Sequence, residues 1–353
     1  DSSSCSILTA GSTPPFPVAG DSSRCAGSAI GGRFDYEPHP GGRQPANGAA
    51  ARVMCYYCSV GLIEAVPNVS EGRRLEVIAA LRDAMTGCPG VHLLDTSSDT
   101  AHNRTVFTLV GEGSALKNAL LALFAVAVDA IDLRSHTGVH PRIGAVDVVP
   151  LVPLTPADMP VCVALATEVA AAVAERFDIP VYLYEDAARM PERRRLETIR
   201  HGGFEGLTNR MQTEIWRPDF GPAHPHPSAG ASAVGARPML VAYNVNLDTG
   251  DVAIARRIAR AVRASDGGLP AVKAIGVRTA QPHVVQVSIN LVDYERTPLD
   301  RVYEAVQREA DRCGVVIRSS EIVGLVPAAA LLPAATRQLQ LEGFTMDQIL
   351  TCR

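Results

Sequence analysis

A chain of 353 residues with 47% hydrophobic and 20% charged residues has the composition of a globular protein and room for two compact lobes. Its formal net charge of -4 gives no attraction for nucleic acid or an anionic membrane, so neither is an expected partner and small-molecule chemistry is favoured. Eight cysteines scattered through a chain too large to need disulfide stapling fit a reducing, cytoplasmic setting.

Residues 1–60 come first. They are crowded with Ser, Gly, Pro and Ala and hold no methionine before Met54, and they read as a disordered or non-native extension. Cys55 and Cys58 form a CxxC with no second pair at zinc spacing, so no metal site is expected there. A strand is predicted over Leu62 to Val66, and Asn68 to Glu71 supply helix-start chemistry for Arg73 to Met85, where Leu75, Ile78, Leu81 and Met85 recur at helical spacing. Strands follow at Val91 to Asp95 and Thr105 to Val110, then an apolar helix from Ser114 to about Leu133. Its most apolar stretch is about half the length of a bilayer span. A strand at Ala145 to Leu151, a helix from Pro156 to Phe177 and a strand at Val181 to Tyr184 complete a βαββαβ order with an αβ unit appended.

The segment from Trp216 to Gly235 is too rich in Pro and Gly for a regular element, yet it holds the single tryptophan and two histidines, so it reads as a linker or a binding loop. Beyond it, strands at Met239 to Leu247, Ala271 to Val277, Val284 to Val292 and Val315 to Val323 alternate with helices at Val252 to Ala264 and Leu299 to Arg312, a second βαββαβ order. The expected fold is α/β (α+β): two ferredoxin-like βαββαβ subdomains, 61–237 and 238–335, with sheets facing a central ligand groove, and a tail at 336–353.

Polar chemistry concentrates in Arg134-Ser-His-Thr-Gly-Val-His-Pro-Arg-Ile-Gly-Ala-Val-Asp147, a loop because Gly138 and Pro141 break any helix. Three uses compete for its histidines: a zinc pair at His136 and His140, a general acid or base near neutral pH, or hydrogen-bonded loop residues with no chemistry. Two other segments carry polar groups at strand ends, Val66 to Gly72 and Leu93 to Val106, and the second offers Asp95, Asp99, His102, Asn103 and Arg104.

VPNVSEG, LLD followed by NRTVFTLVG, RSHTGVHPRIGAVDVVP, IPVYLYEDAAR, WRPDFGP, GARPMLVAYNVNL and VGLVP occur in collinear order from about Leu62 to Leu332. Together they resemble the formiminotransferase domain of formiminotransferase-cyclodeaminase and its stand-alone bacterial relatives. The resemblance implies a homodimeric glutamate formimidoyltransferase of histidine degradation and one-carbon metabolism, moving a formimino group between N-formimino-L-glutamate and tetrahydrofolate as co-substrate, with no metal. It places the catalytic base on His140. For such a reaction the polar segments offer a candidate substrate-binding set of Asn68, Asp95, Asn103, Arg104, His136, Arg142 and Asp147, with Arg104 and Arg142 for the donor's carboxylates and Asp95 or Asp147 for its amidinium. The family's folate-contacting loop matches Gly221 to Gly230, which brings in Gly221, Pro222, His224, His226, Ser228 and Gly230. The chain departs from mammalian members at Ala229, where they carry tryptophan, and at Ser97, where they carry aspartate. A glutamate N-formyltransferase of the same fold, or a folate-binding homologue without catalysis, are the competing functions.

Overall fold

The computed structural model describes residues 61–138 and 141–349; the N-terminal extension with Cys55 and Cys58 lies outside these residues, and so does His140. Two helix-on-sheet lobes make up the described chain. The first runs β1 (Leu62–Ala65), β2 (Asn68–Val69), α1 (Leu75–Thr86), β3 (Val91–Asp99), β4 (Arg104–Glu112), α2 (Gly113–Ala130), β5 (Val146–Pro153), α3 (Met159–Phe177) and β6 (Val181–Glu185). It continues through two short helices, α4 (Leu196–Ile199) and α5 (Gly203–Arg210), to β7 (Ser232–Ala236).

β1 and β2 are one central strand interrupted at Val66 and Pro67. Both halves pair antiparallel with β4 in unbroken register, from Leu62 against Glu112 to Val69 against Thr105. Proline has no N–H to return to the Phe107 carbonyl of β4, so the strand assignment lapses there, while its own carbonyl still accepts from Phe107 at 3.0 Å. The sheet order is β3, β4, β1/β2, β5, β7, β6, the split βαβ pattern with two parallel strands added beside β5. Ile63, Ala65, Val69, Phe107, Leu109, Val149, Leu151, Val181 and Leu183 face α1, α2 and α3 to form the main core. Although α2 and the stretch 156–177 are long and apolar enough to cross a bilayer, Leu120, Leu123, Phe124, Val169 and Val173 are buried in this core, and Phe124 stacks on Phe177 at 6.2 Å between centroids. Each such side chain contributes roughly 1.5–3 kcal/mol by burial.

The second lobe runs β8 (Val241–Asp248), α6 (Val252–Val262), β9 (Val272–Arg278), β10 (Val284–Leu291), α7 (Leu299–Arg312), β11 (Ile317–Val323) and α8 (Ala328–Leu339), with strand order β11, β8, β10, β9. Val241, Tyr243, Val245 and Leu247 alternate inward against α6 and α7. The helix α8 runs across the expected start of the tail at residue 336 and carries Pro333 inside it.

Three further elements differ from expectation. α1 is capped at Arg74 without any side-chain bond; Ser70 instead donates to the Gly144 carbonyl, and the Glu71 carboxylate accepts the Arg73 and Arg74 N–H groups. The stretch 186–216 is not an empty connection: α4, α5 and Trp216 cover Val148, Tyr182, Tyr184 and Ala233 on the sheet face away from α1–α3. β7 lies inside the segment read as a loop, fully buried between β5 and β6.

The lobes are joined on the sheet faces opposite α1–α3 and α6–α7. Lys273 on β9 reaches Glu197 at 2.9 Å and Glu185, at the end of β6, at 3.8 Å. At the other edge a Cβ on Gly324, just past β11, would stand 4.0 Å from Asp95 Oδ2 on β3. Contacts at both edges lay one sheet across the other, and the cleft lies between them.

Candidate active site at the cleft

Two β-bulges aim the polar groups. In β5, Asn68 opposes Val148 while Val69 opposes Val146, so Asp147 is the extra residue. In β3, Leu93 opposes Leu109 and Asp95 opposes Thr108, so Leu94 is extruded, half exposed, and Asp95 joins the rung of Thr108. Since directly opposed residues share a face, Asp95, Thr108, Arg104 and Asn68 all lie on the helix-free side, facing the cleft.

Asn103 ties the surrounding loops together. Its backbone is left-handed, φ 51°, in the turn from β3 to β4, a conformation asparagine tolerates better than most residues. Oδ1 accepts the Gly72 N–H at 2.9 Å, Nδ2 donates to the Thr137 carbonyl at 3.0 Å, and the Asn103 carbonyl meets His136 Nε2 at 3.1 Å. Gly72 and Gly138 allow this close approach: a Cβ on either would fall 2.4 Å from a carbonyl oxygen of the β3–β4 turn, that of Asp99 or His102.

His136 is held as a neutral ring. Nε2 donates to the Asn103 carbonyl, which leaves Nδ1 to accept from Arg142 Nε at 2.9 Å. Burial, chiefly, and the nearby Arg142 charge depress its pKa. Both ring nitrogens are engaged, so this histidine positions Arg142. Arg142 in turn forks onto Glu205, with Nη2 to Oε1 at 3.0 Å and Nη1 to Oε2 at 3.3 Å, and Nη2 also donates to the His136 carbonyl at 3.1 Å. Its guanidinium therefore staples the histidine loop to α5.

Arg104 is half-buried on the cleft face, and desolvation first, then repulsion from Arg200, pulls its pKa down to about 10 against the attraction of Asp147 and Asp99. Asp147 accepts the Ile143 N–H on Oδ1 at 2.7 Å and Arg200 Nη2 on Oδ2 at 2.5 Å. At the rim, Asp99 accepts the Ala101 and His102 N–H groups and faces His102 Nδ1 at 2.8 Å; these contacts outweigh the upward push of burial and lower its pKa. Ser70, His102, Asn103, Arg104, His136, Arg142 and Asp147 line one pocket. Asn68 borders it: Nδ2 donates to the Val66 carbonyl at 2.7 Å, and Oδ1 is buried with no partner among the described residues.

Of the expected loop from Gly221 to Gly230, the far end joins this region. Ser228 and Ala229 accept from Leu133 and Ala145, and His226 Nδ1 accepts the Ala229 N–H at 3.0 Å. Burial lowers the His226 pKa. Gly221 packs beside Ile179, and His224 is exposed. Trp216 is engaged by its surroundings: Arg210 lies 3.8 Å over its ring and its carbonyl accepts the Tyr182 hydroxyl.

Sequence reasoning missed Arg200, which meets Asp147 from 53 residues away, and the lining of the opposite wall. There Asn246 Nδ2 donates to Ser319, Gln286 Nε2 to Asn246 and Glu321, and Asn244 Nδ2 to Glu321, all between 3.0 and 3.1 Å. A polar residue at every second strand position carried that signal. Among the described residues, no three His, Cys, Asp or Glu side chains group as metal ligands.

Two α/β lobes, the first carrying a pocket lined by histidine, arginine, asparagine and aspartate side chains, have the form of an enzyme acting on small molecules. Residues 62–237 match the Formiminotransferase domain, N-terminal subdomain, and residues 242–348 match the Formiminotransferase domain. The chain is 45% identical over 283 residues to Glutamate formimidoyltransferase of Streptococcus pyogenes serotype M1, covering 80% of this chain and 95% of that one. It is 45% identical over 293 residues to the protein of the same name from Thermoplasma acidophilum, covering 82% and 96%. Against Formimidoyltransferase-cyclodeaminase of Rattus norvegicus it is 42% identical over 279 residues, 78% of this chain and 52% of the relative. The chain belongs to the formiminotransferase family and is a transferase.

Proposed function

We propose that this protein is a glutamate formimidoyltransferase, passing a formimino group between N-formimino-L-glutamate and N5 of tetrahydrofolate, as a cytoplasmic homodimer in histidine degradation. One observation carries the reading: Arg104 and Asp147 line one pocket together with His136 and Arg142 of the histidine loop, and Asn68 borders it, so anion-binding groups gather beside the loop that carries the histidine motif. In the forward direction N5 attacks the amidine carbon, the new C–N bond forms, and N5 gives up its proton. The glutamate nitrogen takes a proton as its bond to that carbon breaks, and free glutamate leaves. His140 is the base and then the acid, a role worth about 10² to 10⁴-fold. The engagement of both His136 nitrogens supports this choice, since it leaves His140 as the motif's proton carrier. The buried Asn68 Oδ1 suits an amidinium N–H, and Asp95 faces the same cleft. The Asn244, Asn246 and Gln286 carboxamides offer the paired donors and acceptors that a pterin edge and a benzoyl-glutamate amide require.

The test is transfer assayed with purified protein and both N-formimino- and N-formyl-L-glutamate as donors. Turnover with the formimino donor is expected, lost in His140→Asn with reduced-folate binding retained. Preference for the formyl donor would replace the reading with a glutamate N-formyltransferase, and near-normal turnover in His140→Asn would move the base elsewhere, with His102 the next candidate.

A further inference from the structure

Formimino transfer consumes a second proton. The donor nitrogen carries one hydrogen in its bond to the amidine carbon, whereas the amine of free glutamate near neutral pH is an ammonium with three. The amidine is cationic both on the donor and on N5, so N5 supplies one of the two added protons and solvent supplies the other. Asp99 and His102, in the turn from β3 to β4, stand where such a proton would enter. Both keep access to water, His102 34% and Asp99 52% exposed, while His102 also lines the pocket beside Arg104 and Asp147. Asp99 Oδ2 meets His102 Nδ1 at 2.8 Å, and Oδ1 is fixed by the Ala101 and His102 N–H groups at 2.7 and 2.8 Å. A proton taken up at Nε2 is thus balanced by a carboxylate at Nδ1, as in any dyad where a carboxylate steadies an imidazolium. Burial pushes the Asp99 carboxyl up, but these contacts outweigh it and hold it below its ordinary range, so it stays charged. The histidine loop crosses this turn: a Cβ on Gly138 would fall 2.4 Å from the His102 carbonyl oxygen.

We propose that His102, backed by Asp99, relays a proton from solvent to the departing glutamate nitrogen. The assignment rests on the transfer reaction proposed above and adds the second of its two protons, the first being the one His140 moves from N5. In this step the Nε2–H bond of the imidazolium breaks as an N–H bond forms on glutamate, the ring is left neutral, and a dissolved acid reprotonates it at the rim. In the reverse direction the same ring passes the proton out to water. His136 is unsuited to this part, since both its ring nitrogens are engaged. Around His102, Arg104 and Arg142 in the pocket oppose an added positive charge, as does Arg73 from just before α1, whose Nε donates to the Thr100 carbonyl at 2.9 Å. Asp147 favours it from the pocket, and Asp99 favours it in direct contact.

The test uses the full chain as His102→Gln and Asp99→Asn, with melting curves recorded for both. In His102→Gln kcat should fall about 10²-fold while the KM values for N-formimino-L-glutamate and tetrahydrofolate stay within about threefold. Imidazole added at rising concentration should then raise the variant's kcat about tenfold or more and leave wild type unchanged, because a small dissolved acid takes over the delivery. Asp99→Asn keeps an acceptor for the two backbone N–H groups but cannot balance an imidazolium, so the decline of kcat toward high pH should begin at a lower pH than in wild type. This second variant decides the matter if His102→Gln does not fold. Near-normal kcat in His102→Gln, or a loss that imidazole does not relieve, would give the ring a structural part only and overturn the proposal, as would an Asp99→Asn profile that superimposes on wild type. A wild type that transfers nothing from this donor rejects the reaction itself, whereas a working wild type beside an unrescued variant rejects the relay alone.

Discussion

Removing the Asn103 side chain tests the idea that one residue assembles the pocket. Asn103→Ala deletes the acceptor of the buried Gly72 N–H and the donor to Thr137, bonds of 2.9 and 3.0 Å, and places a Cβ-bearing residue without a local polar partner at φ 51°. An orphaned buried N–H costs about 1–3 kcal/mol, and the left-handed backbone adds about 1 kcal/mol for alanine, so a loss of about 3 kcal/mol is expected. Asn103→Gly forfeits the same bonds without the conformational cost and should lose about 2 kcal/mol. Asn103→Asp keeps the acceptor and tolerates the backbone, and should lose least, about 1 kcal/mol. Urea midpoints at a common m-value rank the three, and turnover falls in the same order because the histidine loop hangs from Thr137 and the Asn103 carbonyl. Equal losses for Gly and Ala, or a loss below about 1 kcal/mol for Ala, would refute this account of the turn.

Other expectations follow from the same contacts. His136 has a folded pKa below its ordinary value, so its contribution to stability is complete above that value and is lost as pH falls through the depressed one. Melting temperature should drop on acidification below about pH 6.5, and His136→Gln, which can still accept from Arg142 and donate to Asn103, should flatten that drop. Arg142→Lys cannot fork onto Glu205 and meet His136 together, so kcat/KM should fall at least about tenfold, while Glu205→Gln, altering a largely exposed partner, should cost under about 1 kcal/mol of stability in urea titration. Lys273→Ala removes an exposed tie between the lobes and should likewise cost less than about 1 kcal/mol.

Where side chains alternate at strand or helix spacing, the sequence was readable: both βαββαβ orders, the helix from Met159 to Phe177 and the inward β8 residues follow directly from period. β7 was not, because Ser232-Ala-Val-Gly-Ala236 has weak strand character and owes its strand to parallel partners on both sides. α4 and α5 are too short for periodicity to declare them, and their burial of Tyr182 and Tyr184 is a tertiary fact. The bulges that turn Asp95 and Asp147 toward the cleft exist only in pairing register, so sequence could name these carboxylates without saying where they point. The same limit hid the engagement of Arg142 with Glu205, 63 residues on, whereas the HTGVHPR composition alone marked the loop.

A single turn of helix, α4, touches both halves of the molecule. Glu197 near its start is gripped by Lys273 from the far lobe, and Arg200 just past its end is anchored on Asp147. Prying the lobes apart must therefore snap the lysine contact or tug the guanidinium off its carboxylate. One helical turn thus couples the spacing of the lobes to an ion pair set in the sheet of the first.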